Sequence, residues 1–135
     1  MIFASEKMAY DGEKYTTPVW QLDTDTYTVT HTDDTGVEER TPYHSECVRY
    51  YINYCLENNS DKLEKLVNDG KIKVYLEELE TKFYEAVDRQ VSIWKAQDRD
   101  YQATLASGDF LTQAKMENTF DMQAKELLYS TMVYS

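Results

Sequence analysis

Apolar positions along this chain change period once. Up to about residue 42 they alternate with polar ones, in Tyr15, Thr17 and Val19 and again in Tyr27, Val29 and His31. Asp33-Asp34-Thr35-Gly36 then supplies turn chemistry before Val37 and Glu39. This alternation predicts a small antiparallel sheet of two or three strands. Two strands alone are marginal in water, so one face, with Tyr15, Val19, Tyr27 and Val29, is expected to pack against helices.

Beyond Thr41-Pro42 the period becomes helical. Thr41 as N-cap, Pro42 at the first helical position and the spacing of Val48, Tyr51, Ile52 and Cys55 predict a helix over 42–57. Asn58-Asn59 interrupts it, and Ser60 with Leu63, Leu66 and Val67 predicts a second helix over 61–69, stopped by Gly70. Ile72, Leu76, Leu79, Phe83, Ala86, Gln90, Trp94, Gln97, Tyr101 and Leu105 advance by three or four and predict one long helix to about residue 106. Gln90 and Gln97 weaken its far half. Ser107-Gly108-Asp109 is a tight connection, with Asp109 capping a last helix whose stripe is Leu111, Ala114, Met116, Phe120, Ala124, Leu127, Leu128 and Tyr134. The expected fold class is α+β, mainly α: a small N-terminal antiparallel β-sheet packed on a helical bundle with a long C-terminal helical hairpin. A single domain over 1–135 is expected, with a small β region (1–41) and a helical region (42–135).

Composition changes this picture in one respect, the charge. The 135 residues include 14 Lys plus Arg against 25 Asp plus Glu, a formal charge of −11. Direct nucleic-acid binding through phosphate neutralisation needs clustered cations, so it is not expected; a basic protein is the natural complement. No apolar run approaches the roughly 18 residues of a membrane span, and the N-terminus lacks a charged segment followed by an apolar one. A cytoplasmic protein without a membrane partner is therefore expected. Cys47 and Cys55 match no zinc or redox spacing, and they are too few for a disulfide framework.

Three segments bear a family likeness. Gly70, Lys71, Ile72, Tyr75, Leu76, Leu79 and Glu80 resemble the Gly-Lys-Leu-x-x-Tyr-Leu-x-x-Ile-Asp segment of the transposon-encoded TnpV family of mobile elements in Firmicutes. Asn118, Ala124, Glu126, Leu127, Leu128, Val133 and Tyr134 are similar in order and spacing to its closing segment, and Tyr43 with Arg49 resembles the Tyr-Gly-x-x-Arg start of its first helix. The likeness covers about 43–134. It implies carriage on a mobile element and brings no catalytic residues. The acidic N-terminal part and the low share of Arg depart from the family pattern.

The candidate chemistry is anionic. Asp23, Asp25, Asp33, Asp34, Glu38 and Glu39 lie within seventeen residues that hold no Lys or Arg. Period-two alternation puts Asp23 and Asp25 on one strand face, and a hairpin is expected to bring the later acids close to them. Carboxylates held on a rigid sheet can imitate a row of phosphates, and Tyr27 offers a ring for guanidinium stacking. The alternative is a solvated acidic surface that only aids solubility. Glu77, Glu78, Glu80, Glu85 and Asp88 form a second acid set, for which Glu78 to Lys82 and Glu85 to Arg89 predict a paired, exposed helix face. His44 and Cys47, even with His31 and Cys55, make a weak metal or nucleophile signal. No enzyme, cofactor or metal site is expected. The expected function is that of a mobile-element or phage-encoded inhibitor, a nucleic-acid mimic of anti-CRISPR or anti-restriction type. Asp23, Asp25, Tyr27, Asp33, Asp34, Glu38 and Glu39 would bind a basic nucleic-acid-binding protein, a CRISPR effector nuclease first. The alternatives are an accessory protein of transposition or excision that contacts a recombinase, and a helical homo-oligomer.

Overall fold

The computed structural model describes residues 1–10 and 12–134. It is α+β and mainly α, with six strands ahead of five α-helices. The strands are β1 (Ile2–Ala4), β2 (Met8–Tyr10), β3 (Tyr15–Pro18), β4 (Trp20–Asp23), β5 (Thr28–Thr32) and β6 (Glu38–Pro42). The helices are α1 (Glu46–Asn58), α2 (Ser60–Asn68), α3 (Ile72–Gln97), α4 (Arg99–Ser107) and α5 (Phe110–Leu128), with a π-helical turn over Tyr129–Val133. The chain divides into two compact units, Met1–Glu80 and Thr81–Ser135.

In the first unit, β1-β4-β5-β6 forms one antiparallel sheet and β2-β3 a separate two-stranded ribbon. The main sheet thus has more strands than the alternation predicts, because β1 lies in the first residues, where the apolar pattern is too short to register. Pairing of Phe3 with Leu22, Leu22 with Val29 and Val29 with Thr41 lays one row across the sheet. Phe3, Leu22 and Val29 in that row are buried with Cys47, Val48, Tyr51, Ile52, Leu63, Val67, Ile72 and Leu76 of the three helices that follow. Full burial of each such aliphatic side chain is worth roughly 1.5–3 kcal/mol, which is what holds sheet to helices. The expected inner face was therefore wrong in composition: Val29 belongs to it, but Tyr15 is 67% exposed on β3.

Two helix boundaries differ from expectation, each for a local reason. Pro42 does not start a helix; it ends β6, paired with Thr28, and the Tyr43 N–H donates to the Tyr27 carbonyl at 2.9 Å. The ladder outcompetes the Thr-Pro start signal, and α1 begins at Glu46. Gly70, at φ 69°, stops α2 as expected. The long helix does not reach 106. Asp98 takes an extended backbone (ψ 117°) and its side chain accepts from the Tyr101 N–H at 2.8 Å, so it ends α3 and caps α4. Asp gains more from such a cap than from a helix interior.

The second unit holds the rest of α3 with α4, α5 and the π-helical turn. Asp109 caps α5 through the Thr112 N–H, as the sequence predicts. Phe83 stacks on Tyr129 at 4.9 Å, and Tyr101 meets Phe120 edge-on at 5.7 Å. The Tyr101 hydroxyl donates to Glu117 at 2.6 Å, a charge-assisted bond that satisfies a buried phenol. In the predicted α5 stripe Ala124 is buried, whereas Leu111 is 69% exposed. Met116 and Phe120 of the same stripe are half-buried and Ala114 and Leu127 exposed, so the apolar count of that stripe overstated its burial. Among the described residues no helix is long and apolar enough to cross a membrane.

Candidate partner-binding surface

Strand polarity decides where the six N-terminal carboxylates go. Asp23 and Asp25 lie at the β4–β5 turn, where Asp23 pairs with Thr28; Asp33 and Asp34 lie at the β5–β6 turn, where Thr32 pairs with Glu38. Those turns are at opposite ends of β5, roughly 14 Å apart at about 3.4 Å per residue. The single anionic cluster expected from the sequence is therefore not formed. Two anionic groups stand one strand-length apart.

Side-chain partners separate the six further. Asp23 accepts from the Asp25 N–H at 2.9 Å, and Asp25 itself takes the Met1 amine at 3.0 Å. Asp33 organises its turn, accepting from the hydroxyl and N–H of Thr35 and from the N–H of Val37. Those bonds, the Thr35 hydroxyl first, hold its carboxyl below the ordinary value. Asp34 is exposed beside it. Glu38 meets Arg40 at 3.2 Å. Glu39 meets Lys73 of α3 at 2.8 Å, and this bond lowers its pKa and raises that of Lys73. Register makes Glu38 and Glu39 diverge, since neighbouring strand residues face opposite sides of the sheet.

Tyr27 is placed differently from the acids. It sits in the turn at φ 52°, donates its hydroxyl to Asn53 of α1 at 3.0 Å, and has the Arg49 guanidinium 4.9 Å from its ring centre. The ring already stacks on a guanidinium of its own chain. Its expected role toward an external Arg is taken by Arg49, so Tyr27 anchors the turn to α1.

The structure brings together a surface that the acid count did not reveal. Ile2, Asp23, Thr28 and Pro42 form one cross-strand row and Ala4, Gln21, Thr30 and Arg40 the next, both on the sheet face opposite Phe3, Leu22 and Val29. This face is concave, about 510 Å³ in volume, and lined by Gln21, Asp23, Thr26, Thr28, Thr30 and Arg40 among others. A polar row of Thr26, Thr28 and Thr30 is the sequence signal for it, because a strand that buries one face leaves alternate positions to water or a partner, although Thr32, next in the alternation, is buried.

Charge is concentrated in the same unit. Residues 1–80 carry 17 acidic and 8 basic side chains, an excess of nine, against 8 and 6 in residues 81–135. Glu77, Glu78, Glu85 and Asp88 of α3 are exposed as expected, whereas Glu80 is half-buried and accepts from the Ser45 hydroxyl at 3.2 Å, and neither Glu78–Lys82 nor Glu85–Arg89 is among the ion pairs within 4.0 Å of the described residues. Cys47 and Cys55 are buried free thiols whose pKa values burial pushes up, the opposite of an activated nucleophile. Among the described residues no group of three or more His, Cys, Asp or Glu is arranged to hold a metal ion. Comparison with protein-family models, curated proteins and solved structures finds no match to this chain.

Proposed function

We propose that this protein is a small acidic antagonist that docks its first unit on a basic, nucleic-acid-binding protein and excludes the nucleic acid. The observation that carries the reading is the excess of nine negative charges in residues 1–80, with six of the acids on the main sheet and its two turns and the others on the ribbon segment and the helices. Cationic surfaces built for phosphate attract such a unit over a Debye length, about 8 Å at physiological salt, and steer its approach. The mechanism corrects the row of phosphates to two anionic groups at the ends of β5, with Asp23, Asp25 and Asp34 as the contact acids. Asp33 and Glu39 serve the fold through Thr35 and Lys73. The likeness to mobile-element proteins over 43–134 makes a CRISPR effector nuclease the first target class to test and a restriction enzyme the second.

The test is displacement of a labelled DNA duplex from such an effector, followed by fluorescence anisotropy. The expected result is release that weakens as salt rises, with the triple variant Asp23→Lys, Asp25→Lys, Asp34→Lys weaker by about tenfold or more. No release from either target class, or release by the triple variant at the wild-type concentration, overturns the reading. Capture of a recombinase together with enhanced recombination would assign the protein to transposition or excision instead.

A further inference from the structure

We propose that β6 is an open sheet edge that accepts an extended, Lys- or Arg-bearing segment of the partner protein as a fifth strand. This deepens the reading above and rests on it. Sheet order puts β6 at the margin, with β5 its sole strand neighbour.

The hydrogen-bond parity shows which groups point outward. Tyr43 bonds to Tyr27 and Asp33 to Val37 across the β5–β6 pair. In an antiparallel pair the bonded positions alternate, so residues 39 and 41 also face β5. Glu38, Arg40 and Pro42 therefore turn their backbone groups away from the sheet: two N–H donors and three carbonyls. Among the described residues none of these has a hydrogen-bond partner outside the ladder. Glu38, Glu39, Arg40 and Pro42 are all exposed. An uncovered row of this kind is a template for strand addition.

Charge decides the occupant. Asp33, Asp34, Glu38 and Glu39 stand at the start of the edge, the last two beside Arg40 and Lys73, and the rest of residues 1–80 adds 13 acidic to 8 basic side chains. A cationic strand gains from both. A second copy of β6 does not: its fullest antiparallel pairing, centred on Arg40, opposes one guanidinium to the other and brings two anionic units together. Pro42 has no donor, so the added strand ends there. Its side chains on the open face continue the rows that line the groove beside Thr30 and Arg40.

The experiment uses the full chain and an eight-residue peptide of alternating Lys and Thr as probe, with a control peptide N-methylated on the amides that would face β6. The control keeps the charge and loses the donors. The expected result is binding of the first peptide, at least tenfold weaker binding of the control, and at least tenfold slower hydrogen exchange at the Glu38 and Arg40 amides. Arg40→Pro, which removes one outward donor and leaves the β5 ladder intact, should weaken binding as much, whereas Arg40→Ala should not. Equal affinity for the two peptides overturns strand addition while leaving the charge-based reading in place. The same holds if no peptide binds but the DNA displacement succeeds; failure of both removes the reading as well. Protection of the two amides in peptide-free protein, with dimer in ultracentrifugation, replaces the cationic segment by a second copy and overturns the proposal.

Discussion

Gly70 shows how one residue can hold two functions that its sequence context reveals only in part. As a helix stop it is legible, because Gly after a run of helical spacing supplies the left-handed residue that ends a helix. Its second constraint comes from the fold: a Cβ at Gly70 would lie 2.9 Å from the Trp20 Nε1, fifty residues earlier in the chain. Gly70→Ala is therefore expected to cost about 2 kcal/mol, left-handed strain plus displacement of the indole. Gly108 has a similar φ of 74° with nothing near its Cβ position, so Gly108→Ala should cost about 1 kcal/mol. Urea denaturation followed by circular dichroism measures both, and equal costs would refute the contact term. Tyr27 is the contrasting case. Nothing in the residues around it announces that Arg49, on α1 and three elements later, will occupy its ring.

Among the elements, those with long helical spacing were the most legible, and the sheet the least. The second helix, the stop at Gly70 and the Asp109 cap follow from residues close in sequence. The acid arrangement does not, because which end of a strand a turn occupies depends on how many strands pair and in what order. Six acids in seventeen residues look like one patch; with β5 between the turns they become two. The break at Asp98 was missed for the opposite reason, since Trp94, Gln97 and Tyr101 keep the helical spacing across it and hide a cap that works through a single side chain. Asp98→Ala should cost about 1 kcal/mol by removing the bond to the Tyr101 N–H, and Asp98→Ser should restore most of it. Thermal denaturation of the two variants checks this, and an Ala variant as stable as wild type would mean that the cap contributes nothing.

For the whole molecule the governing quantity is a charge of −11, unevenly spread. Self-repulsion opposes the compact state, so adding salt at neutral pH should raise the thermal midpoint while weakening capture of a cationic partner. Opposite signs for one additive separate the two effects. Acid acts through particular groups. The carboxyls of Asp33, Glu39, Asp109 and Glu117 are held below their ordinary values by hydrogen bonds from Thr35, Lys73, Thr112 and Tyr101 respectively. Their contribution is complete above the unfolded-state values of about 4 and is lost as pH falls through the lower, folded ones. At fixed salt the midpoint should accordingly drop below about pH 4, and Asp109→Asn with Glu117→Gln should flatten that drop. A midpoint that rises steadily toward pH 2 would show that relief of repulsion outweighs these bonds.

The chain has two indoles, Trp20 in the first unit and Trp94 in the second, each half-buried. Trp20 rests against Gly70 and lies 4.3 Å from the His31 ring, whereas Trp94 faces Phe120 at 6.3 Å. Each unit thus carries a single indole, which can be excited at wavelengths where the twelve tyrosines do not absorb. With either replaced by Phe, the emission of the survivor monitors its own neighbourhood alone, without any attached dye.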